Sequence, residues 1–585
     1  MCGIAGWVAF TRDLTRERDT VQAMTDTMRN RGPDAEGVWL SPHAALGHRR
    51  LSIIDLDGGR QPMAGGTAVL TYSGEVYNFR ELREELTGRG HRFGTRSDTE
   101  VVLRAYLEWG DSFVDRLNGM YAFAIWDRDR DELLLVRDRM GVKPLFYYPT
   151  PDGVLFGSEP KAILANPFAE RVLDADGLRD LLSVAKNPGH AVFRGMRELP
   201  PGHTLRVGRD GLRLREYWSL QVREHTDDLG TTIGTVRELL EDTVARQLVA
   251  DVPLCTLLSG GLDSSTLTAL AARTADVRSY SVKVTDQPGD NLDHVHARLV
   301  ADHVGVRYEE ILHTTVDLLA PSVKSAVLAA YDLPIAKGDE HASLHELFRL
   351  VRERSTVALS GECGDEVFGG YRWYRNPDAV GSGTFPWVHS GRSRHEGLDL
   401  LFAPDLMTKL GLRDYERDSH DSAVSGLSTV AGEDQLETRM REVTYLGLTR
   451  HAQVLFDRKD RMSMASGLEV RVPFTDHRLV EYTFNVPWSM KNFDGREKSL
   501  LRAAGKDLLP AEVLSRAKTP YPSIEDDSYD RILRERLRKL ILAKDEPLSP
   551  LLTDEFPEGR LTRPALETTL QLNDWLKAYR VRLVL

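Results

Sequence analysis

The sequence predicts an α+β sandwich of antiparallel sheets with flanking helices, followed by an α/β unit whose C-terminal part is mostly helical. Three observations predict it. Up to about residue 205 the chain reads as short apolar runs broken by Gly, Pro and Asp, the mark of antiparallel sheets. From about residue 231 continuous apolar runs alternate with helix-period segments, the mark of a parallel sheet with crossover helices. Beyond Leu398 the pattern is helical. At 585 residues the chain is too long for one core. The organisation expected is a first unit over about 1–205, a linker over about 206–230, a second unit over about 231–525 and a helical extension over about 526–585.

In order along the chain, strands are expected at Gly3–Phe10, Ala44–Ile54, Thr67–Tyr72, Met120–Trp126, Glu132–Arg137 and Pro144–Tyr148, with helices near residues 17–30, 79–89 and 99–109. Leu199-Pro200-Pro201-Gly202 is turn punctuation, and the polar stretch Glu224–Thr231 suits a linker. A helix-period segment, Thr232–Leu248, leads into Val252–Leu258, a continuous apolar run fit for a buried parallel strand. Helical Ser264–Arg273, strand-like Ser279–Val284, helical Asp293–Val304 and strand-like Arg307–Leu312 follow.

The composition, 41% hydrophobic and 28% charged, is that of an ordinary globular protein. A net charge of −12 argues against a sequence-independent grip on nucleic acid, and no RNA-binding module is evident, which disfavours a tRNA-modifying enzyme. Cys2, Cys255 and Cys363 show neither zinc-ligand nor disulfide-framework spacing, so a reducing, cytoplasmic setting is expected. No signal peptide is expected before Cys2, and no apolar run reaches membrane-spanning length, so no membrane partner is expected.

Two constellations carry chemistry. In the first, only Met1 stands before Cys2. Removal of Met1 would leave a free α-amine, of pKa roughly 7.7–8.0, beside a thiol of about 8.5. That is a nucleophile with a built-in base. Four polar islands follow: Arg31-Gly32-Pro33-Asp34, His48–Ile53, Ser73-Gly74-Glu75-Val76-Tyr77-Asn78 and Ser97-Asp98-Thr99-Glu100. Cleaving the amide of an amino acid through a thioester calls for oxyanion donors, an acid for the ammonium and an arginine for the carboxylate. Each island singly is an ordinary polar turn; together they contain the set.

In the second, the apolar run Val252–Leu258 ends in Ser259-Gly260-Gly261-Leu262-Asp263-Ser264-Ser265. A strand, a Ser/Gly turn and a helix start make an anion cradle of backbone N–H groups. Asp263 is out of place against a phosphate unless Mg²⁺ stands between them. The terminal lysine of the G-x-x-x-x-G-K-[ST] loop is missing. A second strand and turn, Val357-Ala358-Leu359-Ser360-Gly361-Glu362-Cys363-Gly364-Asp365-Glu366, sets three carboxylates among glycines, which burial makes costly without cations. A third island, Gly495-Arg496-Glu497-Lys498-Ser499-Leu500-Leu501-Arg502, reads alone as a charged helix start.

With these residues in view, the chain resembles the glutamine-hydrolysing asparagine synthetase family over roughly residues 1–525. The resemblance implies an α+β sandwich of the N-terminal-nucleophile type and an α/β ATP-pyrophosphatase unit. It implies Cys2 as nucleophile, Arg50 on the glutamine carboxylate, Glu75 and Asp98 around its amino group, and Gly74 N–H on the oxyanion. Where the family carries asparagine as the second oxyanion donor this chain has Ser73. Either the Ser73 hydroxyl or a water replaces that donor, or the hole is crippled; the first reading is favoured because every other element is present. The second half is similar to the family's pyrophosphate loop, with Ser259, Gly260, Gly261, Asp263, Ser264 and Ser265 matching. Ser360 and Gly361 match its SGEG-x-DE-x-FGGY motif, with Cys363 where glycine is usual. Asp263 and Asp365 would hold Mg²⁺ with pyrophosphate, Glu362 would assist ammonia attack, and Lys498 would bind phosphate as charge develops. Asp460–Met464 and Leu468–Phe474 match family motifs and are read as structural or tunnel-lining.

The partners implied are glutamine, ATP with Mg²⁺ and a small carboxylic acid, aspartate first, with the product amide formed through an acyl-adenylate. Ammonia is mostly protonated in water, and the family's internal tunnel would keep it neutral. The segment Asp332–His341 lies where the family shapes its acceptor pocket, and its preference is not legible. Another acid of secondary metabolism is the alternative; relatives that close a β-lactam have lost the N-terminal cysteine, so Cys2 argues against that variant. A nucleotide or glutamine sensor is disfavoured by Cys2, Asp263, Asp365 and Lys498. A homodimer is common in such families.

Overall fold

A computed structural model describes residues 2–585 except 184–185, 286–292, 336–337, 391–396, 520, 522–526 and 558–560. Met1, and Ala336 and Lys337 of the expected acceptor segment, therefore lie outside the described residues.

The first unit contains β1 (Gly3–Ala9), β2 (Ala35–Leu40), β3 (Ala44–Arg50), β4 (Met63–Gly65), β5 (Ala68–Val76), β6 (Gly119–Asp127), β7 (Glu132–Arg137), β8 (Phe146–Thr150), β9 (Gly153–Gly157), β10 (Val172–Asp174), β11 (Arg197–Glu198), β12 (His203–Gly208) and β13 (Gly211–Glu216). Two six-stranded sheets form, β11-β8-β9-β1-β3-β2 and β13-β12-β7-β6-β5-β4. The pairs that place the site, β1 with β3 and β5 with β6, are antiparallel. Period-2 alternation explains the layering. Ile4 and Val8 of β1 cluster with Val69, Ala122 and Leu135 of the second sheet, while Trp7 and Ala9 join Val21 and Met24 of the helix Arg18–Asp26. On the far face, Leu70 and Tyr72 pack with Leu82 and Val102 of the helices Phe79–Gly88 and Asp98–Trp109. The result is helices, sheet, sheet, helices.

The linker expected over 206–230 is shorter than that. β12 and β13 form a hairpin that extends the second sheet, with Leu205 opposite Leu135 of β7. The misreading has a physical source: β13 is an edge strand with Leu212 and Leu214 exposed among arginines, so it buries too little to look like a strand.

In the second unit β14 (Leu254–Leu257), β15 (Arg278–Val284), β16 (Arg307–His313), β17 (Val357–Leu359) and β18 (Glu469–Arg471) form a parallel sheet of order β16-β15-β14-β17-β18. The chain leaves β14 for β15 and β16 on one side, then returns to β17 and β18 on the other. The loops after β14 and β17 therefore flank the switch point, where open α/β sheets bind their ligands. The C-terminal residues are mostly helical, as expected, but not a free extension. The helix Arg563–Tyr579 buries Trp575 in the main core, and β19 (Arg582–Val584) pairs in parallel with β10. Helical periodicity shows an apolar face but not what it packs on. No helix among the described residues is long and apolar enough to cross a membrane.

Buried ions join the two halves. Arg31 Nη1 donates to Glu159 Oε1 at 2.9 Å and to Asp460 Oδ2 at 2.7 Å. Lys143 Nζ lies 3.2 Å from Asp460 Oδ1. Arg461 reaches Glu159 at 3.1 Å and Asp332 at 3.0 Å. All six side chains are at most 3% exposed.

The C-terminal helix also carries a titratable group with a stability consequence. Glu567 is buried against the Gly338 N–H, the Tyr529 hydroxyl, Asp339 and Arg563. Burial first, then the Asp339 charge, pushes its carboxyl up from about 4.5 to about 7. The folded chain thus keeps a proton that the unfolded chain releases between those values. The stability this contributes is complete below about pH 4.5 and lost as pH rises through about 7, at most ~3 kcal/mol. As pH rises from 5 to 8, the melting temperature of wild type is expected to fall relative to that of Glu567→Gln, whose side chain stays neutral throughout. Parallel curves would refute the assignment.

Candidate active site

Cys2 sits at the start of β1 and is 8% exposed. Its thiol lies 3.8 Å from the Leu51 carbonyl, and burial pushes its pKa up to about 11. In this setting the thiol is not a thiolate, so a base must take its proton. The Cys2 carbonyl is held from two sides. Arg31 Nε donates to it at 3.2 Å, and Ser73 Oγ, on β5 of the facing sheet, donates at 2.7 Å. The Ser73 proton is therefore engaged with the backbone of Cys2 rather than aimed at an oxyanion. Next along β5, Gly74 has φ +147, and a Cβ there would lie 2.2 Å from the Met120 carbonyl oxygen. Only glycine fits that position.

Arg50 ends β3. Its Nη1 donates to the Leu56 carbonyl at 2.6 Å and its Nη2 to the Asp55 carbonyl at 2.7 Å. Among the described residues no carboxylate neutralises it, so its charge is available to an anion. Glu75 and Asp98 are buried. Asp98 accepts from the Tyr72 hydroxyl at 2.8 Å and the Val76 N–H at 3.1 Å. Burial raises both carboxyls, Glu75 further than Asp98, with nearby Glu469 adding to each. Arg471, 3.8 Å from Glu75, is the cation that partly offsets the cost of burying that carboxyl. Arg50 and Glu75 both act electrostatically on the Cys2 thiol, and Asp98 acts on Glu75, so the four groups expected from sequence lie in one neighbourhood.

The second constellation lies at the switch point. The Ser259 N–H and hydroxyl both meet Ser264 Oγ, at 3.1 and 3.0 Å, folding the loop after β14 over the start of the helix Leu262–Ala272. Gly260 has φ +72, and a Cβ on it would strike the Asp293 carbonyl oxygen at 2.5 Å. Asp263 and Asp365 face each other across this crevice, bridged by Lys498, whose Nζ contacts Asp263 and lies 2.6 Å from Asp365 Oδ1. Lys518 also pairs with Asp365. Three glycines clear the space. A Cβ on Gly361 would lie 2.9 Å from the Ser264 amide nitrogen, one on Gly364 2.7 Å from Asp263 Oδ1, and one on Gly370 2.0 Å from Asp365 Oδ1.

Burial raises the Asp263 carboxyl and opposes ionisation of Asp365, but Lys498 and Lys518 outweigh it at Asp365 and hold that group low. Glu362 pairs with Lys459 at 2.9 Å; burial would raise its carboxyl, and Lys459 with Arg458 reverses the shift. Cys363 has φ +74, which explains why glycine is usual there. Burial, then Glu366 and Glu362, pushes its thiol well up, against a nucleophilic role. The residues fit a divalent ion. Asp263 Oδ1 is buried without a hydrogen-bond partner, and Asp365 faces it. Among the described residues no group of three or more His, Cys, Asp or Glu side chains is placed to hold a metal ion.

Sequence reasoning missed four cations. Lys518 and Lys459 sit in no assigned motif, Arg31 lay in an island given no role, and Arg471, 3.8 Å from Glu75, lay in a stretch read as structural. A basic residue beside a motif carries no signal of the carboxylate it will meet in space.

A family model described as asparagine synthase matches residues 235–577, and one described as a glutamine amidotransferase domain matches residues 1–218. The chain is 41% identical to glutamine-hydrolyzing asparagine synthetase 3 of Bacillus subtilis (strain 168), over 99% of each chain. It is 29% identical to glutamine-hydrolyzing asparagine synthetase B of Escherichia coli (strain K12), over 92% of this chain and 84% of that one. It is 28% identical to amidase chry2 of Gibberella zeae, over 89% of this chain and 88% of that one.

Two outcomes test the geometry. Because Ser73 holds the Cys2 carbonyl, Ser73→Ala is expected to slow glutamate release from glutamine by about tenfold, the effect of one lost hydrogen bond. A loss of ~10²–10³ would instead mark it as an oxyanion donor. Gly370→Ala is expected to reduce ATP-dependent pyrophosphate release by at least about 100-fold with glutamate release retained, since overpacking here displaces Asp365 and Lys498. Unchanged pyrophosphate release would show that the crevice is not the site.

Proposed function

The chain belongs to the glutamine-hydrolysing asparagine synthetase family, and from that premise we propose that it converts L-aspartate to L-asparagine with ATP and glutamine, releasing glutamate, AMP and pyrophosphate. The observation that carries a coupled two-site reading is one helix, Ala452–Met464. Its Lys459 holds Glu362, and its next residue, Asp460, holds Arg31, whose Nε holds the Cys2 carbonyl. Consecutive residues are thus tied to both candidate sites, Lys459 directly and Asp460 through Arg31.

In the first site, glutamine would enter with its carboxylate on Arg50 and its ammonium against Glu75 and Asp98, whose raised carboxyls ionise when that cation arrives. With Met1 removed, the Cys2 amine takes the thiol proton and the sulfur attacks the side-chain amide. The Gly74 N–H faces the developing oxyanion, and ammonia leaves as the thioester forms. Water then releases glutamate.

In the second site, the Ser259–Ser265 loop and its helix start would cradle the phosphates, with Ser360 and Gly361 across the crevice. Asp263 and Asp365 would hold Mg²⁺, which when bound neutralises phosphate charge. The acceptor carboxylate oxygen attacks the α-phosphorus and pyrophosphate leaves. Lys498 stays beside the charge that develops on it. Ammonia then attacks the acyl carbon, AMP leaves, and Glu362 takes a proton from the nitrogen. Lys459 keeps Glu362 ionised for that role.

The similarity to a protein named an amidase keeps a second acceptor in view, another carboxylic acid handled by the same chemistry. Incubation with ATP, Mg²⁺, aspartate and amide-¹⁵N-glutamine is expected to give ¹⁵N-asparagine with AMP and pyrophosphate in equal amounts. If aspartate is inert and another acid acquires the label, the acceptor assignment falls. If no acid does, the amidotransferase reading itself falls.

A further inference from the structure

The C-terminal helix Arg563–Tyr579 packs against the region around Asp332 and Gly338 without belonging to any motif. Three of its side chains grip the region between the helices Pro321–Tyr331 and Gly338–Arg352. Tyr579 donates its hydroxyl to Asp332 Oδ1 at 2.6 Å, and Trp575 Nε1 donates to the Asp332 carbonyl at 2.8 Å. Glu567 accepts the Gly338 N–H at 2.9 Å, which satisfies a donor at the start of that helix. Asp332 is fully buried, with φ +65, an uncommon conformation for a side chain other than glycine. Such a conformation persists where surrounding contacts over-determine it. Both ends of the region are therefore set by one helix.

What they set lies against the candidate chemistry. Two residues beyond Gly338, Glu340 pairs with Arg458 at 3.0 Å. Arg458 precedes Lys459, which holds Glu362. On the other side, Ser343 meets the Tyr521 hydroxyl at 3.0 Å, and Tyr521 stands three residues past Lys518, the partner of Asp365. The first turns of the Gly338 helix thus line the crevice on the Glu362 side. One acidic and one basic group, Glu340 and Arg458, stand beside Glu362, whose charge also acts on Arg458.

We propose that Glu567, Trp575 and Tyr579 are positioning residues for acceptor recognition: the C-terminal helix fixes the Gly338 helix so that Glu340 and Arg458 can meet the ammonium and carboxylate of an α-amino acid acceptor. This rests on the amidotransferase reading above and adds to it the element that sets acceptor affinity. Glu567 touches neither the phosphate loop nor the ion network behind Cys2, so its loss acts on the acceptor and not on glutamine hydrolysis or ATP; Trp575 and Tyr579 act on Asp332, which also pairs with Arg461 of that network.

The test uses the full-length enzyme with ammonia as nitrogen donor and aspartate as acceptor, following pyrophosphate release, with glutamate release from glutamine measured separately. Glu567→Ala and Tyr579→Phe are expected to raise the acceptor KM about tenfold, the effect of one lost buried hydrogen bond. The KM for ATP should stay within about twofold in both variants, and glutamate release should do so in Glu567→Ala. Glu567→Gln, which retains a carbonyl acceptor for the Gly338 N–H, should restore most of the acceptor affinity. An acceptor KM within twofold of wild type in folded Glu567→Ala and Tyr579→Phe overturns the proposal. So does a parallel fall of all activities in Glu567→Ala, because that marks a general loss of structure. Should Glu567→Ala fail to fold, Tyr579→Phe and Glu567→Gln carry the comparison. Failure of wild type to amidate any acid overturns the underlying reading instead, and is seen before any variant is made.

Discussion

The pairing of Arg31 with Asp460 is the constraint on which the rest of the structure depends. Both side chains are shielded from water, and each would be strongly unfavourable alone. Arg31 comes from the antiparallel sandwich and Asp460 from a helix beside the parallel sheet, so neither half is electrostatically complete without the other. Lys143, Glu159, Arg461 and Asp332 extend the pair into a network of alternating sign. A buried network of this kind favours one relative placement of the halves over near alternatives, because a small slip strands a charge. The same arginine holds the Cys2 carbonyl and the same helix holds Glu362, so the registry between the halves is also the registry between the sites.

Much of this was legible in the sequence, and unevenly. The run Ser259–Ser265 after an apolar strand identified an anion cradle, and the parallel sheet puts it at the switch point as alternation of strand and helix requires. Cys2, Arg50, Glu75 and Asp98 were readable as a set only through the resemblance, since four polar turns say nothing about convergence. The hairpin β12–β13 was lost because its edge strand β13 buries too little apolar surface to be told from a linker. Lys518 and Lys459 were lost because ion pairs between distant residues leave no local pattern. The C-terminal helix was read as helix, but its partners were invisible: Asp332 is more than 240 residues away from Trp575 and Tyr579.

The crevice at the switch point also shows what a site gives up in local stability. Lys498 sits at φ +55 and Cys363 at φ +74, conformations that cost of order 1–3 kcal/mol each in side chains other than glycine. Gly361, Gly364 and Gly370 add backbone freedom that folding must remove, because no side chain fits between Asp263, Asp365 and Lys498. These penalties fall on the residues that line the crevice and are offset elsewhere, in the two cores and the ion network.

The four charges at the centre of that crevice, Asp263, Asp365, Lys498 and Lys518, cancel one another. A nucleotide approaching from solution meets a locally neutral mouth on a chain of net charge −12. That quartet by itself presents no net charge that would draw a polyanion in over long range. Selectivity is gained in exchange. A bare anion must break lysine–carboxylate pairs without replacing what the carboxylates lose, whereas a nucleotide arriving with its divalent ion offers each side of the quartet a new partner.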